Sequence, residues 1–292
     1  MIKSASEPIA NGAGANDEIP LSLRFRQLLG RTRLAANFII GRQPVDRVVT
    51  TYEDDVWFVS FPRSGNTYWR FLTANLISRG EPVDWANIER FSPDIYITYD
   101  PALRQIPRPR YIKSHEPFRP NYRRAVLIVR DPRDVAVSCF HSAKRWYTIP
   151  EAMTIDEFVP EWNAGRVFSY GTWSEFNGSW LGARRDTEDF WVFRYEDMVS
   201  DPLTHLTRLV DVLRIDVGPE DIQRAIENSR PERLRELENK QRDKHKLLKL
   251  ARRTSPYVRA ATSNQWQSAL LPASVKAIED SCGKLMAEFG YQ

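Results

Sequence analysis

Short apolar runs alternate with longer segments of helical spacing along most of the chain. Apolar runs from 56 to the turn that begins at 62, and at 110–115, 125–130 and 190–195, predict buried strands, and the run at 125–130 is a continuous aliphatic stretch typical of parallel sheets. Between the strands, apolar residues recur at helical spacing, most clearly at 67–80. This alternation predicts an α/β fold of three layers, in which helices cover both faces of a mainly parallel central sheet.

The start of the chain differs in composition from the remainder. Residues 1–20 are rich in Ala, Gly, Ser, Pro and Asn and predict a flexible tail. Residues 21–42 carry arginines among leucines and phenylalanines, and we favour a helix packed on the domain over a membrane-binding or targeting helix. Residues 21–292 are therefore predicted to form one large domain.

The charge balance and the cysteines argue against several classes of protein. The chain has 42 basic and 38 acidic residues, a formal net charge of +4, which does not indicate a nucleic-acid-binding surface. Cys139 and Cys282 lie far apart without metal-ligand spacing, so neither a disulfide scaffold nor a zinc site is predicted. Because no apolar run approaches the length of a membrane span and no secretory signal is visible, the sequence predicts a cytoplasmic protein.

Two segments leave alternatives open. Residues 140–191 are dense in aromatic side chains, which either pack as helical core or in part form an acceptor pocket. Residues 231–253 are highly charged and form either a solvated helix or part of a mobile cover, over 231–260, above an anionic site. By contrast, the prolines of residues 81–109 predict an irregular connection.

The strongest candidate site is the turn that joins the first predicted strand to the following helix. The stretch Pro62-Arg63-Ser64-Gly65-Asn66-Thr67 places a glycine, two hydroxyls and a guanidinium at a helix N-terminus, where backbone N–H groups attract an anion. It lacks the Gly-Lys ending of a Walker A loop. On the turn alone, a phosphate or sulfate site and a plain strand–turn–helix corner both remain open.

Two further strand ends carry matching chemistry. Lys113 and His115 end the second strand, Arg130 ends the third, and Ser138 follows on the next predicted helix. The carboxyl ends of parallel strands lie side by side along the edge of the sheet where ligands bind. We therefore expect these side chains to meet a single anion.

With these motifs the sequence resembles the sulfotransferases that use 3′-phosphoadenosine 5′-phosphosulfate, over roughly residues 55–290. The resemblance implies a P-loop-NTPase-like sulfotransferase fold. Five separated features carry it, namely the loop Phe61–Tyr68, the segment Lys113–Pro117, the run Ile128–Ser138, the segment Arg194–Met198, and the spacing between Arg259 and Trp266.

The resemblance also implies a role for each matching residue. His115 is the catalytic base, while Lys113 and Arg63 steady the sulfuryl oxygens and the leaving phosphate. The resemblance requires no metal. The resemblance implies that the donor and its product, adenosine 3′,5′-bisphosphate, are held at three places. The 5′-phosphate is bound by Arg63, Ser64, Gly65, Asn66 and Thr67, and the 3′-phosphate by Arg130, Ser138 and Arg259. The adenine side is contacted by Tyr68, Tyr195 and Ser229.

The chain departs from the family pattern at several positions. Arg63 stands for the usual lysine, which changes a point donor into a planar fork. Tyr68 stands for a stacking tryptophan and Phe176 for a frequent histidine, and Ala260 and Ala261 replace a Lys-Gly pair. The dimer motif of the family is not recognisable after the last matching feature, so the oligomeric state stays open.

Together these features predict an enzyme that transfers a sulfuryl group to a hydroxyl, or amine, of a small-molecule acceptor by in-line displacement. A carbohydrate or lipid hydroxyl is the alternative acceptor class. A P-loop kinase using ATP and a non-catalytic nucleotide- or membrane-binding module are the competing functions. The sulfotransferase is favoured by Lys113 and His115 in their motif, and by Arg130 at the position where a kinase would bind magnesium. No nucleic-acid or membrane partner is predicted.

Overall fold

A four-stranded sheet forms the centre of the computed structural model, which describes residues 49–146, 148–245, 248, 258 and 263–292. The three strand pairings are all parallel. The predicted mainly parallel sheet is therefore confirmed. In the order β2-β1-β3-β4, its strands are β1 (Val56–Val59), β2 (Tyr111–Ser114), β3 (Arg124–Val129) and β4 (Phe190–Arg194).

Helices follow or connect the strands. Asp131 caps the helix after β3 by accepting a hydrogen bond from the backbone N–H of Arg133 at 2.8 Å, with Pro132 in the first turn. A 3₁₀ turn spans Arg242–Lys244. The α-helices are α1 (Asn66–Ile77), α2 (Ile88–Phe91), α3 (Asp100–Leu103), α4 (Pro132–Arg145), α5 (Ile155–Asn163), α6 (Trp173–Arg184), α7 (Tyr195–Ser200), α8 (Pro202–Leu213), α9 (Pro219–Asn228), α10 (Pro231–Gln241), α11 (Trp266–Ala269) and α12 (Pro272–Glu288).

Alternate residues of the strands face two separate cores. Trp57 and Val59 pack in a core with α4, α5, α6 and α12. Val56 and Phe58 point the other way, into a core with α1, α8 and α9. Burying a large apolar side chain contributes about 1.5–3 kcal/mol of transfer free energy. Helices therefore cover both faces of the sheet, which is the predicted three-layer arrangement.

The strand register brings the predicted site segments to one edge. Val59, the last residue of β1, lies beside Ser114 of β2 and Leu127 of β3. In the same way Val129 pairs with Arg194 at the ends of β3 and β4. The residues that follow all four strands consequently meet at the carboxyl edge of the sheet.

The connection over residues 81–109 is more ordered than predicted. It contains α2 and α3, and Asp94 forms an isolated parallel bridge with Lys113. Its prolines predict breaks, but they do not reveal this long-range pairing, in which the Lys113 N–H lies 2.8 Å from the Pro93 carbonyl. A smaller difference concerns Tyr195, which begins α7 instead of ending β4.

The predicted tail and the arginine-rich segment fall within residues 1–48, outside the described residues. Across the ranges that are described, no helix is both long and apolar enough to cross a membrane.

Candidate active site

The loop between β1 and α1 has the conformation of an anion-binding turn. Arg63 and Gly65 adopt left-handed backbone conformations, with φ of 72° and 96°. A Cβ atom at Gly65 would lie 2.5 Å from Cε2 of Tyr195, so only glycine allows this close approach. Gly65 also precedes α1, whose first N–H groups have no acceptor within the helix. The backbone N–H groups at the start of α1 therefore lie next to the ring of Tyr195.

Two polar side chains of this loop differ in their hydrogen bonding. Ser64 is buried, and in the described part of the chain its Oγ has no hydrogen-bond partner. Asn66 is also buried, but its Nδ2 donates to Ser60 Oγ at 2.6 Å. A buried hydroxyl without a partner is costly and fits a site that an anion completes. Asn66 instead supports the loop through its side chain.

The predicted cations from separate strands converge. Arg63 Nε donates to Ser138 Oγ of α4 at 3.2 Å. Arg130 Nη2 lies 3.2 Å from Asp134 Oδ2, and the guanidinium carbon of Arg130 lies 4.5 Å from the ring centroid of Tyr195. These contacts hold the β1–α1 loop, Arg130 after β3, α4 and the start of α7 together at this edge of the sheet.

His115 is held in the tautomer that a base requires. Its Nδ1 lies 2.7 Å from the carbonyl oxygen of Ser60. Because a carbonyl only accepts hydrogen bonds, Nδ1 carries the proton and Nε2 keeps its lone pair. Burial, and then the positive charge of Lys113, hold the pKa of His115 well below its usual value. The imidazole is therefore neutral at physiological pH.

Lys113 of β2 lies two residues before His115 and is paired with a carboxylate. Its Nζ is 3.0 Å from Asp94 Oδ2 and 4.6 Å from the ring centroid of Tyr96. The Tyr96 hydroxyl accepts the backbone N–H of His115 at 3.0 Å and donates to Glu116 at 3.1 Å. Glu116 thereby orients the backbone of His115 through the Tyr96 hydroxyl.

These groups line one cavity of about 390 Å³. Most of the predicted site residues are on its wall, namely Arg63, Gly65, Asn66, Thr67, Tyr68, Lys113, His115, Arg130, Ser138 and Tyr195. Each of the two interpretations of the aromatic-rich segment 140–191 applies to some of its residues. Trp146, Phe168 and Tyr170 line the cavity, whereas Phe158, Trp162, Trp173, Phe176 and Trp180 are buried in the core.

Three predicted residues are not on this wall as it is described, namely Ser64, which is buried in the β1–α1 loop, Ser229 and Arg259. Ser229 is buried at the end of α9, where its Oγ accepts a hydrogen bond from Asn75 Nδ2 at 3.2 Å. Arg259 lies outside the described residues. Their proposed contacts with the donor stay predictions.

Sequence reasoning missed Arg70, Asp94 and Tyr96. Arg70 lies one helical turn after Thr67 and lines the cavity, with Nη2 at 2.6 Å from Glu89 Oε1. Its spacing from the loop was an available signal. No comparable signal marks Asp94 and Tyr96, because they reach the cavity through the backbone pairing with Lys113.

The fold and the site define an α/β enzyme that binds an anionic substrate at the carboxyl edge of its sheet. Residues 53–290 match the sulfotransferase domain family, and the chain belongs to that family. The predicted family and fold class are therefore confirmed.

Relatives with this fold include mammalian sulfotransferases. Mouse sulfotransferase 1 family member D1 is 23% identical over 251 residues, covering 80% of this chain and 84% of the relative. The guinea pig 3-beta-hydroxysteroid sulfotransferase is 26% identical over 198 residues, covering 64% and 68%.

Among solved structures, mouse sulfotransferase SULT7A1 complexed with PAP aligns with a TM-score of 0.65 at 21% identity, covering 82% of this chain and 85% of the other. Retinol dehydratase in complex with retinol and PAP aligns with a TM-score of 0.68 at 18% identity, covering 84% of each chain. At these identities the structural likeness supports the fold.

Proposed function

We propose that this chain transfers the sulfuryl group of 3′-phosphoadenosine 5′-phosphosulfate to a hydroxyl or amine of a small-molecule acceptor. The observation that carries the proposal is the neutral His115, anchored through Nδ1 and placed in one cavity with the anion loop and the cations Arg63, Lys113 and Arg130. This set combines a base with groups that hold a phosphosulfate.

The residues present fit that donor. The unpartnered Ser64 hydroxyl and the first N–H groups of α1 suit the 5′-phosphate. Arg130 and Ser138 suit the 3′-phosphate, which ATP lacks. The rings of Tyr68 and Tyr195 offer faces to the adenine.

When bound, the donor supplies the sulfuryl group and a bisphosphate leaving group. His115 Nε2 removes the proton from the acceptor hydroxyl as it attacks sulfur, a contribution of about 10²–10⁴-fold in rate. Lys113 and Arg63 stabilise the negative charge that develops on the sulfuryl oxygens and the leaving phosphate. Since sulfuryl transfer resembles phosphoryl transfer, positioning and charge stabilisation supply most of the remaining acceleration.

The acceptor side of the cavity is largely aromatic. Tyr96, Trp146, Phe168 and Tyr170 line the cavity that contains His115. Such a wall favours an acceptor with an apolar body and a single reactive hydroxyl over a free sugar. The androsterone and retinol complexes of retinol dehydratase are consistent with this class.

We further propose that residues 21–292 form one domain and that residues 231–260 cover the cavity. Pro231, Leu234 and Val258 line the cavity, which supports the covering role. A cytoplasmic location is proposed because Cys139 and Cys282 are both buried free thiols.

The test is a transfer assay with sulfur-35-labelled donor and a panel of phenols, alcohols, amines and sugars. We expect label transfer to at least one hydroxyl or amine by the wild type, and a loss of about 10²–10⁴-fold in His115→Ala. His205→Ala is the matched control because His205 lies on α8, away from the cavity lining, and it should retain full activity. If the chain transfers phosphate from ATP and no sulfuryl group, the proposal is wrong and the chain is a kinase.

A further inference from the structure

Lys113 is a buried cation. Only 6% of the residue is exposed, and the residue lines the cavity. A buried ammonium without a counter-charge is expensive and tends to lose its proton. The retention of a charged Lys113 therefore needs a physical explanation in its surroundings.

Asp94 supplies the opposite charge at close range. Its Oδ2 is 3.0 Å from Lys113 Nζ, and only 4% of Asp94 is exposed. The Asp94 N–H donates to Glu89 Oε2 at 2.8 Å, and Asp94 Oδ1 accepts the N–H of Tyr96 at 2.9 Å. The carboxylate is thus fixed by its own segment before it meets the lysine.

The backbones of the two residues are also joined. The Lys113 N–H donates to the Pro93 carbonyl at 2.8 Å, and the Ile95 N–H donates to the Lys113 carbonyl at 3.3 Å. This pairing brackets Asp94 and fixes its position along β2. The bridge therefore holds the Asp94 backbone beside Lys113, and the hydrogen bond from the Tyr96 N–H orients its carboxylate.

The other groups that face Lys113 do not replace this carboxylate. From α1, Arg70 repels the ammonium, while Glu89 of α2 lies against Arg70 at 2.6 Å and offsets that charge. His115, which directly follows β2, is neutral, and the ring of Tyr96 is uncharged. Burial lowers the pKa of Lys113, and Asp94 provides the largest opposing effect.

We propose that Asp94 is a positioning residue that keeps the ammonium of Lys113 charged and fixed beside the catalytic base. The inference deepens the proposed function and rests on it, because it is sulfuryl transfer that requires a cation at this position. Lys113 stabilises negative charge only while it is protonated. Because Asp94 favours the protonated form, the loss of Asp94 should make Lys113 lose its proton at lower pH.

The first experiment reads the lysine itself and needs no turnover. The full chain is labelled with nitrogen-15 lysine, its side-chain signals are titrated by NMR, and the Lys113 signal is assigned from its absence in Lys113→Arg. We expect Asp94→Asn to lower the pKa of Lys113 by about one pH unit or more. Asp54→Asn is the matched control, because Asp54 forms an exposed ion pair with Arg108 and should leave Lys113 unchanged.

The second experiment measures kcat against pH with 4-nitrophenol as the probe acceptor and saturating donor. We expect the alkaline limb of kcat to move to lower pH in Asp94→Asn by the same amount as the lysine titration, with the control unchanged. If the wild type transfers no sulfuryl group to any acceptor while the lysine shift is present, the proposed function fails and the role of Asp94 in Lys113 charge stands.

An unchanged Lys113 titration in Asp94→Asn would overturn the inference, as would an equal shift in Asp54→Asn. Should Asp94→Asn fail to fold, the wild-type titration decides, since a Lys113 amine that is already neutral at about pH 7.5 would show that Asp94 does not hold its proton.

Discussion

At the scale of single residues, one hydrogen bond determines what His115 can do. The Ser60 carbonyl fixes the proton on Nδ1, and the same serine is linked through its hydroxyl to Asn66 at the start of α1. His115 and the β1–α1 loop are therefore joined through Ser60. Burial and the charge of Lys113 then keep the imidazole neutral.

The lowered pKa of His115 predicts an unusual pH dependence. A base works in its neutral form, which predominates above its pKa, so a lowered pKa moves the acid limb to lower pH. We expect kcat/KM of the wild type to stay level from about pH 8 to about pH 6 and to fall only well below the ordinary histidine value of about 6.5. Initial rates with labelled donor across this range measure it. An acid limb whose half-maximal rate lies at or above pH 6.5 would be inconsistent with a depressed pKa of His115.

The sequence predicted that Lys113, His115 and Arg130 meet near the β1–α1 loop, but it did not predict Asp94. Lys113 lies at the end of β2, and His115 and Arg130 follow β2 and β3, so their meeting is a consequence of strand order. Asp94 lies in a proline-rich connection whose bridge to β2 depends on contacts distant in sequence. Local pattern therefore carries no signal for it.

At the scale of elements, the site depends on the turn between β1 and α1. Gly65 has both a left-handed backbone and no space for a Cβ atom, because the Tyr195 ring occupies that position. The turn and the start of α7 consequently form one unit.

Gly65→Ala tests that unit. The added methyl group would strain the backbone and displace Tyr195, so we expect the affinity for adenosine 3′,5′-bisphosphate to fall by about tenfold or more. Gly182→Ala is the matched control, since Gly182 lies in α6 with nothing within 4 Å of an added Cβ. The control should bind normally and be slightly more stable. Equal affinities for both variants, measured by calorimetry, would refute the steric role of Gly65.

Elements with strong periodicity were predictable, and elements set by tertiary contacts were not. The strand β3 and the helices α1, α8 and α12 follow from apolar runs and spacing. The short helices α2 and α3 carry few apolar positions and form where the 81–109 connection packs on the domain. For residues 231–241 the charge pattern is compatible with a solvated helix. In the structure α10 buries Leu234, which lines the cavity.

At the scale of the whole molecule, a buried charge network connects the cavity to the outer segments. Glu89 accepts hydrogen bonds from Arg70 at 2.6 Å and from Thr98 at 2.9 Å, and its Oε1 lies 3.5 Å from Nε2 of His245. It also accepts the N–H of Asp94. One carboxylate thus joins α1, the 81–109 connection and the segment after α10.

This network predicts how stability changes in acid. Burial alone would raise the pKa of Glu89, but the charge of Arg70 and the hydrogen bonds to the carboxylate lower it to about 2. A depressed carboxyl pKa stabilises the fold above the unfolded value of about 4.5, and this stabilisation is lost as pH falls towards 2, a contribution of at most about 3 kcal/mol. We therefore expect Glu89→Gln to lower the free energy of unfolding at pH 7 and to flatten its decline in acid.

Urea unfolding followed by tryptophan fluorescence at about pH 7 and about pH 3.5 measures the effect. Glu236→Gln is the control, because Glu236 is exposed on α10. A Glu89→Gln variant whose stability declines in acid as steeply as that of the wild type would rule out this contribution.

The central claim is that the cavity is built for a nucleotide with a 3′-phosphate as well as a 5′-phosphate. Isothermal titration calorimetry of adenosine 3′,5′-bisphosphate in EDTA tests it most directly, with ATP and magnesium as the competing ligand. Because a hydrogen bond to a charged group contributes about 1.5–3 kcal/mol, Arg130→Ala should weaken bisphosphate binding by about tenfold or more, while exposed Arg123→Ala should not. We predict tight bisphosphate binding without magnesium; tighter binding of ATP with magnesium, unaffected by Arg130→Ala, would contradict the account.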